Sequence, residues 1–280
     1  MSDPDATAMT VPALVDAFAQ TVGAVIALGR SCSPADFELP TDCPGWTVHD
    51  QIAHVAGVES FLHGEPQPVV EVPDYAYLRH DIGRFIEAGV EARRGVPGPA
   101  VVDELAALLP KRLAVLRDPA LTARTPLRGL LGERPAEGVL RIRVTDVWVH
   151  EQDLREALGL PGGMDTAAAA VFVGLVLDSA PRIISRGAAV PAGQTVTIEV
   201  TGPVTASTSV AVVTAEDGKP RGDVVARPAA GSPGTTLISL SARDLTRRGA
   251  GRIAREATTY TVVGDEAVAA RVLDELAVTP

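Results

Sequence analysis

Residues 139–158 read VLRIRVTDVWVHEQDLREAL, and the fold follows from how this stretch is placed. Wound at 100° per residue, it puts Asp146, His150, Asp153 and Ala157 on one stripe, which Val139 and Ile142 continue toward the N-terminus. Val149 and Leu154 flank the stripe, while Trp148, Glu151, Gln152 and Arg155 fall on the opposite side. Two acids and a histidine thus lie within an otherwise apolar face. Buried charge is costly unless it is paired or coordinates a metal. An acid and a histidine four residues apart point the same way and can reach one ion. Mixed nitrogen and oxygen donors suit a borderline cation such as Zn²⁺. The same spacing also suits a hydrogen-bonded Asp–His pair at a bundle seam, and Asp153 suits an ion pair with Arg143 or another arginine.

Outward from this helix the chain has two textures. Up to about Arg186 it reads as helix: Thr10 to Arg30, Thr47 to about Leu62, about Tyr75 to Arg94, Ala100 to Leu116, Val139 to Leu158 and Thr166 to Ser185. Thr47, with Asp50 three residues on, has the form of a capping box. A long loop is expected between Leu116 and Val139. After about Gly193 the period becomes two, with strand candidates at Gln194 to Thr201, Ser207 to Thr214, Asp223 to Arg227, Thr235 to Leu240 and Thr258 to Val263. Helices are expected at Ser241 to Ala254 and after Gly264-Asp265. The predicted fold is two-domain: an all-α four-helix bundle over 1–186 and a small α+β domain with a mostly antiparallel sheet over 187–280.

The 280-residue chain carries a formal charge of −10 with 46% hydrophobic residues, which argues against a basic nucleic-acid footprint and against attraction to anionic lipid. Cys32 and Cys43 are too few for a disulfide framework and fit a reducing compartment. The acidic start MSDPDATAMTVPALV makes a poor signal peptide. The apolar run Ala167 to Ala180, interrupted by Asp178, is expected to be too short for a bilayer span. These features predict a cytoplasmic protein without a nucleic-acid or membrane partner. Cys43 reads as a packed loop thiol, and neither a Gly-rich phosphate loop nor a G-x-S-x-G elbow occurs.

A third ligand must come from His49, His54, His63 or His80. His54 fits best, mid-helix among Ala53, Val55, Ala56 and Val58. His49 and His63 lie at the two ends of that helix and are expected to see solvent, and His80 stands between Arg79 and Asp81.

The string Cys43-Pro-Gly-Trp-Thr-Val-His-Asp-Gln-Ile-Ala-His54 resembles the start of the second helix in the DinB-like N-terminal domain of the mycothiol-dependent maleylpyruvate isomerase family. Asp146-Val-Trp-Val-His150-Glu-Gln-Asp153-Leu resembles that family's acid-x-x-x-H-x-x-D-L helix. Gly249-Ala-Gly-Arg252, Val263-Gly-Asp265 and Val278-Thr-Pro280 resemble its smaller, sterol-carrier-like C-terminal domain. The resemblance implies that His54, Asp146 and His150 hold one divalent metal, zinc first among the choices. It implies mycothiol as co-substrate, in isomerisation or thiol transfer on a small electrophilic substrate. Arg252 is the candidate for holding a substrate carboxylate. The family's acidic ligand is typically Glu, and Asp146 is one methylene shorter, so the ion must sit nearer that helix or the geometry must loosen. A non-catalytic binding or regulatory protein on the same scaffold is the alternative, as a monomer or homodimer in either case.

Overall fold

The computed structural model describes residues 9–229 and 231–279. Residues 1–8, part of the leader reading, and Pro280, part of the C-terminal resemblance, lie outside the described residues. The chain divides into two compact units, Met1–Gly162 and Gly163–Pro280.

In the first unit α1 (Val11–Ser31), α2 (Val48–His63), α4 (Gly98–Leu116) and α5 (Ala136–Leu158) form the expected bundle, with α3 (Asp81–Glu91) against α2. Helix α1 packs against α4 and α5, and α2 against α4 and α5. Thr10 caps α1, which buries Leu14, Phe18, Val22 and Val25 at helical spacing. Helix α2 starts with the predicted capping box: Thr47 Oγ1 accepts from the Asp50 N–H and Asp50 accepts from the Thr47 N–H. It stops at Gly64, whose φ of +117° only glycine adopts readily.

Helix α3 begins at Asp81 rather than near Tyr75. His80 caps it through Nδ1, which accepts the Gly83 N–H at 3.0 Å, and Tyr75 and Tyr77 stay in the preceding loop. The loop expected before α5 contains an antiparallel hairpin, β1 (Pro126–Gly129) and β2 (Gly132–Pro135). Its strands are four residues long and mostly exposed, so they offered no alternation to read.

The predicted faces of α5 need correction. Ile142 is 62% exposed, whereas Trp148, Glu151 and Gln152 are buried. The helix is enclosed on several sides, and its far side has polar partners: Glu151 accepts from the Thr21 hydroxyl of α1 at 2.6 Å and from Arg155 Nε at 2.8 Å.

The second unit begins with α6 (Ala167–Arg182), capped by Thr166 and continued by a π-turn over Ile183–Gly187. A five-stranded sheet follows, built from β3 (Thr195–Thr201), β4 (Ala206–Thr214), β5 (Pro220–Val225), β6 (Thr235–Ser241) and β7 (Tyr260–Val263). Its order is β5-β4-β3-β6-β7, and every neighbouring pair is antiparallel except β3 with β6. Helices α7 (Ala242–Gly249) and α8 (Glu266–Asp274) complete the α+β unit. Helix α7 ends five residues earlier than Ala254, where Gly251 turns the chain at a φ of +70°. Because α6 packs on β4, β5 and α7, the division falls at 162/163 rather than at the expected 186/187.

Two helical stretches, Val11–Ser31 and Ala167–Gly187, are long and apolar enough to cross a bilayer. The second corrects the expectation for Ala167 to Ala180, since α6 runs straight into the π-turn. In each, 56% of the apolar window is buried inside the protein, as in a core helix.

Candidate metal centre

Helices α2 and α5 bring the three predicted ligands together. One donor atom each from His54, Asp146 and His150 lies within 4.8 Å of the other two. His54 Nε2 stands 3.2 Å from Asp146 Oδ2, and His150 Nε2 stands 3.8 Å from Asp146 Oδ1. Ligands about 2.0–2.1 Å from a tetrahedral zinc stand about 3.3–3.5 Å apart, so the donors are near enough for small side-chain adjustments to close them on one ion. Both histidines are buried, and Asp146, its side chain 29% exposed, is the ligand of the three that reaches solvent. The Trp46 ring packs against both imidazoles, with centroids 4.9 Å from His54 and 5.7 Å from His150. Trp46 is fixed in turn by its Nε1–H, which donates to the fully buried Glu87 at 2.9 Å.

The electrostatics suit ligation. Burial, reinforced by the neighbouring His150, pushes the His54 pKa down to about 4, so its imidazole is neutral near pH 7. Burial would raise the Asp146 carboxyl, but the Arg143 guanidinium, with His54 and His150, holds it well below the usual carboxylate range. Arg143 Nη1 donates to Asp146 Oδ2 at 2.8 Å.

Behind the ligands stand Arg143 and Asp153, named from the sequence, together with Glu59, Arg112 and Gln51, which sequence reasoning did not single out. Glu59 on α2 accepts from Arg143 Nε and from Arg112 Nε of α4, each at 2.8 Å, and all three side chains are buried. Gln51, also fully buried, meets His150 Nδ1 through Oε1. Asp153 pairs with His150, its Oδ2 lying 3.5 Å from Nδ1, while Arg143 is taken by Glu59 and Asp146. The signal that could have found Glu59 is its place beside Val48, Ile52 and Val55 on the apolar stripe of α2, whereas Gln51 lies off that stripe and is buried because α2 is enclosed on nearly all sides.

The remaining histidines are placed differently from expectation. His49 is buried, not solvated, with Nε2 2.9 Å from the Val96 carbonyl oxygen, and the neighbouring Asp50 carboxylate, 3.9 Å from Nδ1, raises its pKa. His63 is half-buried with Nδ1 shielded, and His80 serves as the α3 cap. Cys43 is half-buried in its loop, as expected of a packed thiol. Arg252 lies in the second unit, in the turn after α7; it is half-buried and its Nη1 donates to the Ala250 carbonyl at 3.1 Å.

Residues 18–155 match the family described as Mycothiol maleylpyruvate isomerase N-terminal domain. Two solved structures share the fold. One is the histidine-to-alanine mutant of a mycothiol-dependent maleylpyruvate isomerase, with a TM-score of 0.56 at 16% identity over 90% of this chain and 93% of the other. The second is a mycothiol-dependent maleylpyruvate isomerase, with a TM-score of 0.52 at 17% identity and the same coverages. No curated protein matches the sequence.

Proposed function

We propose a function from the family to which the N-terminal unit of this chain belongs, that of the mycothiol maleylpyruvate isomerase N-terminal domain. The chain is a metal-dependent enzyme that uses mycothiol to isomerise a small electrophilic, carboxylate-bearing substrate, or to transfer the thiol to it. The observation that carries the reading is the buried cluster of His54, Asp146 and His150, three donors within reach of one ion. Among the described residues the cluster holds three such groups, and three protein ligands leave a position for an exogenous thiol.

His54 and His150 would hold the metal through Nε2, with one oxygen of Asp146, and zinc is the first choice. The metal would lower the pKa of a coordinated thiol and so supply a thiolate at neutral pH. His54, titrating at about 4, has no excess proton to lose before it can act as a ligand. Asp146 is held ionised by Arg143 and supplies the one negative ligand. Trp46 walls the imidazoles from water on one side, and the exposed edge of Asp146 marks the side from which a thiol would enter. Arg252 is assigned to the substrate carboxylate, which its planar fork can hold by two parallel bonds. Neither Cys32 nor Cys43 is in a disulfide, which suits a reducing cytoplasm.

The test is calorimetric titration of mycothiol into zinc-loaded and chelated protein, followed by product analysis with maleylpyruvate. Thiol binding that requires the metal, with turnover that requires both, supports the enzyme. Equal binding with and without metal, or none in either, removes the thiol-dependent reading.

A further inference from the structure

A metal-binding imidazole must present a lone pair, and which nitrogen does so depends on where its single proton sits. A run of hydrogen bonds behind His150 decides this. The Thr41 hydroxyl donates to the Trp46 carbonyl oxygen at 2.9 Å, with the Cys43 carbonyl oxygen farther off at 3.5 Å. With its one proton placed there, Thr41 Oγ1 acts as an acceptor, from the Cys43 N–H at 3.3 Å and from Gln51 Nε2 at 2.7 Å. That orients the buried amide and turns Oε1 toward His150 Nδ1. An amide oxygen only accepts, so the proton of His150 belongs on Nδ1. The second neighbour of that nitrogen is again an acceptor, the Asp153 carboxylate oxygen at 3.5 Å.

We infer that Gln51, oriented by Thr41, is a positioning residue that fixes the proton of His150 on Nδ1 and thereby aims the Nε2 lone pair at the candidate metal position. This rests on the metal reading given above. Nε2 is the atom that faces Asp146 Oδ1, at 3.8 Å. His54 offers a contrast: its Nδ1 is buried and has no hydrogen-bond partner among the described residues. In the metal-free protein the proton of His54 is drawn instead to Nε2, which faces the Asp146 carboxylate at 3.2 Å, so of the two histidines only His150 is set in its Nε2-ligating form by groups outside the ligand set. The relay starts in the loop before α2, where the Thr41 N–H also donates to the Trp46 carbonyl at 3.1 Å. The segment that places Trp46 over the imidazoles thus also orients one of them.

Two readouts test this on the full chain. Nitrogen-15 NMR of the histidine rings in metal-free wild type should show His150 protonated on Nδ1; a proton on Nε2 overturns the inference, whatever the metal does. Zinc affinity, measured with zinc alone against a competing chelator, should fall about 10–100-fold in Gln51→Leu, the range typical for loss of a group that orients a ligand. Gln51→Glu keeps an acceptor and should bind within about threefold of wild type. If Gln51→Leu does not fold, Thr41→Val against Thr41→Ser decides, since only the first frees the amide to turn; weaker zinc binding in Thr41→Val alone supports the relay. Unchanged zinc affinity in Gln51→Leu, or equal affinity in the two Thr41 variants, overturns it. A wild type that binds no zinc sinks the metal reading, and the NMR result still decides the tautomer.

Discussion

Replacing Glu59 by leucine should destabilise the first unit more than any other single change to a charged residue there. Glu59 is 1% exposed and Arg112 and Arg143 are each 3% exposed, so the three charges are shielded from water. Removing the carboxylate does not strand the two arginines equally. Arg143 keeps Asp146 Oδ2 at 2.8 Å, whereas Arg112 keeps only the Leu62 carbonyl at 3.2 Å. An uncompensated charge is therefore left mainly on Arg112. Breaking one buried pair in this way costs about 3–5 kcal/mol, against a total stability of about 5–15 kcal/mol for a typical domain. Adding Arg112→Met removes the stranded charge, so the double variant should recover at least about 1 kcal/mol relative to Glu59→Leu. Urea unfolding followed by tryptophan fluorescence suits the measurement, because the chain's two tryptophans, Trp46 and Trp148, both lie in the first unit. A loss under about 1 kcal/mol in the single variant, the size usual for an exposed pair, would refute the reasoning, as would a double variant less stable than the single.

Three further outcomes are expected. Metal-free protein should lose stability as pH falls from 6.5 toward 4, because His54 takes up a proton in the unfolded chain but refuses it when folded; a shift from 6.5 to about 4 corresponds to about 3 kcal/mol. His49, raised above 6.5 by Asp50, contributes in the opposite sense, with stability present at low pH and lost as pH rises, so the His54 effect is read as wild type minus His54→Gln across the range. A pH profile identical in the two proteins would count against the buried neutral imidazole. Thr47→Ala removes the hydroxyl half of the α2 capping box and should cost about 1 kcal/mol in urea unfolding, with Thr47→Ser close to wild type. Gly98→Ala would bring a methyl to 2.5 Å from the buried Phe37 ring and should lower stability by about 1–3 kcal/mol, a loss that differential scanning fluorimetry would register.

Much of this could be read from residue order. Helix periods and capping signals gave α1, α2 and α4 to within about two residues, because those features act locally. Asp146, His150 and His54 stood out as polar groups in apolar helical surroundings, and packing brings them together. The misses have a common physical form: the partner is distant in sequence. Glu59 and Gln51 look like ordinary polar residues of a helix until Arg112, Arg143 and His150 arrive from 50 or more positions away. His49 sits at a helix start, which suggested solvent, but the chain after α3 returns to cover it at Val96. Tyr75 and Tyr77 continue a helical pattern, yet their hydroxyls donate to Glu91 and Glu87 from a loop. Helix α6 resembles the preceding helices in composition, and only the sheet it covers assigns it to the second unit.

The most direct test of the account is the metal content of protein loaded with zinc and desalted, for wild type and for His54→Ala, Asp146→Ala and His150→Ala, with folding checked by circular dichroism. The account predicts about one equivalent in wild type and loss of tight binding in each folded variant, since three ligands are the fewest that hold such a site. No zinc retained by wild type, or a full equivalent retained by all three variants, would contradict it.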